Sequence, residues 1–525
     1  MAERSDIQPS ERERVSGERW VIFAAVITTG MAFIDATALN VALPAVQAEL
    51  QAAAKELLWV INAYGLLAAA LLLFAGMIGD RWGRKRVYMA GIGAFAASSV
   101  LCGLASHTRW LIAARGLQGL GAAFMIPGSL AMITSTVPAP RRGKAIGLWS
   151  AGSVIMTALG PLLGGLFAQS GWWRGIFWIN LPLAIAALLA LSRAASESRT
   201  GDAVGPLDGW GAWWSVLGLV GVNLGLVEAA NRGLRDQVVV GGLLIGGLGL
   251  TLLVITEWRV ARPMLPVQLF RDRRLSVACV LTLLLYSGFY GMMVFLSLNL
   301  IQLQHYGEVS AGLAQLPVML LVVLLSPWVG RVVDRRGPRR LLLVGPAVAG
   351  GGYLALAAPG VTAGPADYWQ WYLPPLVLLG VAMGLTAVPL TATIVDSLSL
   401  ERAGLAAGLN STLSRLSSVL GVALLGPVAL CIFGHTLATQ TAALPLTEDQ
   451  KSALAGESRA FGEAQPPAGL SPALQTTVER TIEVSLVRAF RAVCLLCAGA
   501  SWLGTLLTAG LLRGDRVRGI GHATD

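Results

Sequence analysis

Gly76-Met-Ile-Gly-Asp80-Arg81-Trp-Gly83-Arg84-Lys85-Arg86 stands between two long apolar runs. A degenerate copy, Gly330-Arg331-Val-Val-Asp334-Arg335-Arg336-Gly337-Pro338-Arg339-Arg340, stands between two more. Each block packs turn-forming glycines and several cations into one short link, which suits a loop pinned between helix ends at a membrane face. Two copies imply a duplicated chain whose halves move alike.

The runs around the blocks set the solvent. With 525 residues, 55% hydrophobic, 13% charged and a mean hydropathy of +0.66, the chain is built for lipid. A helix needs ~20 apolar residues to cross a bilayer, and irregular backbone facing hydrocarbon would leave amides unpaired. The sequence therefore predicts an all-α polytopic membrane protein of fourteen transmembrane helices, from residues 20–44 to residues 488–512. Cations concentrate in alternate links: Arg81, Arg84, Lys85 and Arg86; Arg141, Arg142 and Lys144; Arg259, Arg262, Arg271, Arg273 and Arg274; and the arginines of the second block. Segments 302–310 and 359–369 have none. Lys and Arg mark cytoplasmic loops, so both termini are expected in the cytoplasm, and the net charge of +10 reflects orientation, with no nucleic-acid partner. The first apolar run is too long for a signal-peptide core.

The blocks lie 254 residues apart (330 − 76), farther than six helices require, so two helices are inserted between the halves. The expected organisation is a cytoplasmic tail 1–19, a six-helix bundle 20–193, two inserted helices 208–257, a second six-helix bundle 275–512 interrupted by an external polar loop 436–485, and a cytoplasmic tail 513–525.

An ionisable residue at membrane depth costs ~3 kcal/mol and asks for a reason. Asp35 lies in Phe33-Ile-Asp35-Ala-Thr37-Ala-Leu-Asn40-Val-Ala-Leu-Pro44, and Arg115 lies in the fourth helix. At ~1.5 Å per residue they sit ~13 and ~8 Å below the same face, within reach of each other. Burial favours the protonated carboxyl and a nearby guanidinium favours the carboxylate, so a carboxyl held between the two can exchange a proton. A static brace uses the same residues, and Asp35 with Thr37 and Asn40 suits sodium as well as a proton. Arg415, eleven residues into the thirteenth helix, demands a polar partner and joins Asn40 as a substrate-pathway candidate; Asp396 is interfacial. In helix five, Gly152, Gly160 and Gly164 share one face with Met156, allowing close backbone contact. Pro161 beside them removes a hydrogen bond, and Gly165 completes a Gly-Gly pair. Glu228 and Glu257 are expected to be solvated, and Trp59 and the other tryptophans at helix ends form an aromatic belt. The five cysteines give no disulfide or metal framework. There is no phosphate-binding glycine loop and no nucleophile elbow, so neither ATP-driven transport, an enzyme nor a cofactor is expected.

Taken together these stretches resemble the major facilitator superfamily, and within it the fourteen-helix drug and proton antiporter branch of bacterial quaternary-ammonium and multidrug exporters. The resemblance rests on the two blocks; on Asp35-x-Thr37-x-x-Asn40-x-Ala42-Leu43-Pro44; on Arg115-Gly-x-Gln118-Gly119-x-Gly121; on Gly152 through Gly160-Pro161 to Gly164-Gly165; and on Trp173-Arg174-x-x-Phe177-x-x-Asn180-x-Pro182. It implies two six-helix bundles plus two inserted helices, with Gly76, Asp80, Arg81, Gly83, Arg84 and Arg86 gating the inner face and Asp334 as their degenerate counterpart. It implies too that Asp35 is the coupling carboxylate, that Arg115 assists it, and that Gly160 and Pro161 limit leak. The second block departs from the first at Arg331 and Pro338. No further acid lies inside the pathway helices of the second half, which favours monocations or neutral amphiphiles over dications. The expectation is a monomeric, proton-coupled exporter of hydrophobic or monocationic small molecules, surrounded by lipid in a bacterial cytoplasmic membrane and conferring drug resistance. Two alternatives stay open: a dedicated exporter of one endogenous compound, and a non-transporting receptor or scaffold.

Overall fold

The computed structural model describes residues 11–52, 54–194, 209–232, 236–260, 267–442 and 470–511, with Glu197 and a few positions between 444 and 467. Residues 1–10 of the expected N-terminal tail, the tail 513–525 and most of 443–469 lie outside the described residues.

Fourteen long helices occupy the expected places: α1 Glu11–Leu50, α2 Ala54–Trp82, α3 Arg84–Gly103, α4 Thr108–Thr136, α5 Ala139–Gln169, α6 Asn180–Ala194, α7 Gly209–Arg232, α8 Gln237–Arg259, α9 Arg273–Leu298, α10 Leu316–Arg336, α11 Arg339–Leu356, α12 Leu373–Asp396, α13 Ala403–Thr441 and α14 Pro472–Leu511. Twelve spans among the described residues are long and apolar enough to cross a membrane. The two helices outside that set are α7 and α11, of which α11 has 18 residues and opens on Arg339 and Arg340. The segment expected as an external loop is helical at both ends, because α13 runs on to Thr441 and α14 starts at Pro472. Those extensions bury Phe433, Leu437, Val478 and Ile482 against one another.

Helices α1 to α6 pack as one bundle and α9 to α14 as a second, and the bundles meet along two seams, α2 on α13 and α5 on α10. The largest apolar cluster lies across both seams and includes Leu73, Ile146, Val329 and Leu405. Within each block the last glycine ends a helix with a backbone that other residues rarely adopt: Gly83 has φ 109° and Gly337 φ 74°. Their N–H groups bond back to Gly79 and Val333, so each block turns sharply from one membrane helix into the next.

Lipid tails are as apolar as leucine, so helices in a membrane associate through close packing of small residues. The inserted hairpin shows this most plainly. Helices α7 and α8 pack along Gly218, Gly221 and Gly225 against Gly242, Gly246 and Gly249, and a Cβ on Gly246 would fall 2.5 Å from the Val222 nitrogen. On its other side α7 lies against both α2 and α13, covering one seam. Gly246→Leu is expected to cost about 1–3 kcal/mol through overpacking, whereas Gly247→Leu, which meets nothing within 4 Å, should leave stability unchanged; thermal unfolding of the purified protein measures both.

Candidate functional site

Asp35 has no exposed surface and forms an ion pair with Arg115, which is 1% exposed. The pair sits in a closed polar cluster. Gln118 donates from Nε2 to Asp35 Oδ1 at 2.9 Å and accepts from Arg115 through Oε1 at 2.7 Å. Asn180 donates to the same Oδ1 at 3.3 Å and to the Ser99 hydroxyl at 2.9 Å, and Ser99 donates in turn to the Phe177 carbonyl at 3.0 Å. Arg115 Nε donates to the Val60 carbonyl at 3.2 Å, and its guanidinium lies 4.3 Å from the centroid of the Tyr64 ring. Five helices, α1, α2, α3, α4 and α6, therefore meet in one cluster built around a carboxylate. The Asn180 Oδ1 atom is buried and has no donor, which leaves one acceptor in the cluster unused.

Energetics make this cluster consequential. An intact buried ion pair adds little net stability, but removing one partner strands the other charge at ~3–5 kcal/mol.

A second constellation sits where the two blocks approach the opposite bundles. The Asp80 carboxylate accepts from the Gly404 and Leu405 amides at 2.8 and 2.9 Å. These N–H groups belong to the first turn of α13, where no carbonyl of the helix can reach them, and the helix dipole favours an anion there. Arg84 donates to Asp80 at 2.7 Å and to the Leu400 carbonyl at 2.5 Å. On the other seam Asp334 accepts from the Gly143 and Lys144 amides at 2.7 and 2.9 Å, near the start of α5. Arg142 pairs with Asp396 at 2.8 Å beside it. At both seams glycine meets glycine, Gly76 against Gly404 and Gly143 against Gly330, with backbone in contact. The degenerate block thus makes the same connection as the complete one. Its departures, Arg331 and Pro338, do not touch the aspartate that bonds to backbone.

Other expected residues separate into two groups. Gly152, Gly160 and Gly164 face α1, where added side chains would strike Val26, Thr37 and the Ala38 backbone. Gly165 makes only an ordinary approach to Val41, and Pro161 is exposed within a continuous helix. Asn40 is exposed and outside the polar cluster. Arg415 lies across from α1, 5.7 Å from the Phe33 ring centroid. Arg86 is exposed and lies 3.8 Å from Glu197, whose carboxylate also accepts from the Lys85 and Arg86 amides at 3.1 Å. Arg81 keeps one buried guanidinium nitrogen without a partner. Glu228 and Glu257, expected to be solvated, are 8% and 3% exposed: Glu228 turns toward residues of α2 and α13, and Glu257 lies on α8, which packs along α7. Ser99, Gln118 and Asn180, which complete the Asp35 cluster, and Glu197, which binds the first block, are residues that a search for buried charges passes over; the first three are uncharged amides or hydroxyls in apolar runs, which is the signal that would have marked them.

Gln118→Leu keeps the side-chain volume, removes one of the two donors to Asp35 Oδ1 and takes one acceptor from Arg115. Such a loss costs about 1–3 kcal/mol, and a lowered unfolding temperature of the purified protein is the expected result.

With this geometry in place, comparison with known proteins gives a consistent answer. The family model described as Major Facilitator Superfamily matches residues 25–422. The chain is 29% identical to the tetracenomycin C resistance and export protein of Streptomyces glaucescens over 90% of this chain and 87% of that one. It is 34% identical to the puromycin resistance protein of Streptomyces alboniger over 82% of this chain and 86% of that one. Among solved structures, the human organic anion transporter MFSD10 superposes with a TM-score of 0.58 at 16% identity, covering 95% of this chain and all of the other, a likeness of fold alone.

Proposed function

Because the chain belongs to the major facilitator superfamily, we propose that it is a proton-coupled antiporter of the fourteen-helix drug exporter branch, expelling hydrophobic or monocationic antibiotic-type compounds by alternating access. The hairpin α7–α8 between two six-helix bundles supports the branch. The observation that carries the coupling is the buried cluster around Asp35. Among the described residues its side-chain partners are N–H donors, from Arg115, Gln118 and Asn180, a setting for a carboxylate that exchanges a proton and a poor one for sodium, which binds through oxygens. On protonation Asp35 becomes a donor, and Asn180 Oδ1 is the acceptor that lacks one.

In the proposed cycle Asp35 takes a proton while open to the outside, and substrate leaves. The bundles rock, Asp35 releases the proton inward, and new substrate binds from the cytoplasm or inner leaflet. Each proton moved inward supplies ~2.3 kcal/mol per 100 mV. The blocks gate the inner face: Asp80 and Asp334 hold the two seams shut at that end, and both termini lie on that side. The glycine stripe of α5 against α1 closes the pathway beside Asp35 to leak. Both relatives described above are named for one compound each, which supports a second reading, a dedicated exporter; a narrow transport spectrum distinguishes it.

The test uses liposomes with an acidic lumen, following uptake of a fluorescent lipophilic cation together with luminal pH. Uptake with matching proton efflux, lost in Asp35→Asn while the cation still binds, is the expected outcome. Flux that persists in Asp35→Asn would place coupling elsewhere. For the gate, spin labels on cysteines replacing the exposed Trp82 and Leu400 should report a wider distance distribution in Asp80→Asn, and an unchanged distribution would remove the aspartate from the closure.

A further inference from the structure

The two seams are related by the duplication, and they differ in what covers them. In the first, Gly76 meets Gly404, and the residues that follow these glycines, Met77 and Leu405, are buried in one apolar cluster with Ala212 of α7. The inserted helix is the cover there, lying against both α2 and α13. In the second, Gly330 meets Gly143, and the residues that follow are Arg331 and Lys144. Both are exposed, as are Arg335 and Leu148 one turn along the same helices.

Helix geometry puts these cations together. Gly143 and Gly147 of α5 meet Gly330 and Ser326 of α10 in reverse order, so the two helices run antiparallel. Each successive residue turns about 100° around its helix, and in an antiparallel pair the residue after each contact point turns toward the same side of the joint. Lys144 and Arg331 therefore flank one side of the second seam, with Arg335 one turn on. The residue before, Arg142, turns to the opposite side, where it pairs with Asp396 of α12. Lys144 lies five residues from the start of α5 (144 − 139) and Arg331 five from the end of α10 (336 − 331). That is about 8 Å from either helix end, near the boundary between headgroups and acyl chains.

Three like charges thus converge on a closed joint. Arg331 donates from Nε to the Pro327 carbonyl at 3.4 Å, and among the described residues none of the three cations forms an ion pair. Asp334 is already committed to the Gly143 and Lys144 amides. Like charges one turn apart on a helix repel, and so do charges that share one side of a joint. Where the first half has a methionine under a protein helix, the second has an arginine facing the membrane, and the cover that suits it is an anion held in that membrane.

We propose that this side of the second seam is a docking site for one anionic phospholipid headgroup, whose phosphate diester accepts from Arg331 and Arg335 of the second bundle and from Lys144 of the first. The lipid does at this seam what α7 does at the other. It covers the joint from the membrane and ties the bundles together. A ligand that bridges the bundles binds the closed joint better than the parted one and so favours closure, which makes the anionic lipid content of the membrane a regulator of opening.

The test places the full-length protein in nanodiscs of phosphatidylcholine with or without phosphatidylglycerol. Native mass spectrometry counts the lipids retained, and hydrogen exchange follows the Gly143 and Lys144 amides. One phosphatidylglycerol should be retained in preference to phosphatidylcholine, and exchange at both amides should slow at least threefold. Arg331→Met, which installs the methionine of the first block, and Lys144→Met should each weaken retention roughly fivefold, the equivalent of ~1 kcal/mol for one cation near an anionic surface. Arg259→Met, at an exposed cation of the inserted hairpin, should leave retention unchanged, and unfolding temperatures confirm that each variant is folded. Equal retention of the two lipids, or equal weakening in folded Arg259→Met, overturns the site. Retention without slowed exchange overturns the bridge, and the same slowing by inorganic phosphate in phosphatidylcholine discs overturns a lipid as the occupant. Binding is read without substrate or proton gradient, so failure of antiport leaves this site standing and failure of binding leaves antiport standing.

Discussion

Inside a bilayer there is no water to satisfy a stray polar group, and the architecture follows from how each buried charge is answered from within. Asp35 is answered by donors from two side-chain amides and a guanidinium. Asp80 and Asp334 are answered by main-chain amides of the opposite bundle. The first solution ties five helices of one bundle to a point. The second ties the bundles to each other, and only at the end where the charged blocks lie.

These two solutions differ in how visible they are in the sequence. Asp35 and Arg115 could be paired from depth alone, because charges within apolar runs are rare and the two lie at similar heights. Gln118 and Asn180 escaped that criterion because an amide costs less to bury, although each completes the cluster. The partners of Asp80 were illegible for a different reason: Gly404 and Leu405 contribute backbone, and backbone has no letter. The same reasoning explains why the second block, degraded at Arg331 and Pro338, connects as well as the first. Its aspartate and Gly330 make the contact.

Helix number was legible in outline and imprecise in kind. The arginine pair opening α11 holds that helix below the hydropathy of the other spans, yet it packs against α12 and α14. Trp59, which sequence position assigns to an aromatic belt, lines a cavity instead. Its neighbours there come from residues 223, 228 and 415, and proximity across such separations follows from helix packing that no local pattern records.

The glycine pairs at the seams carry a mechanical consequence. Gly76 lies on Gly404 and Gly143 on Gly330 with no side chains between them, so at these two points the bundles part without withdrawing interlocking knobs, whereas Leu73, Ile146, Val329 and Leu405 of the shared apolar cluster must separate elsewhere along the seams. Near the blocks the joint behaves as two smooth plates clamped electrostatically. Its resistance to opening at that end includes carboxylate to amide contacts, whose strength follows local charge and hydration.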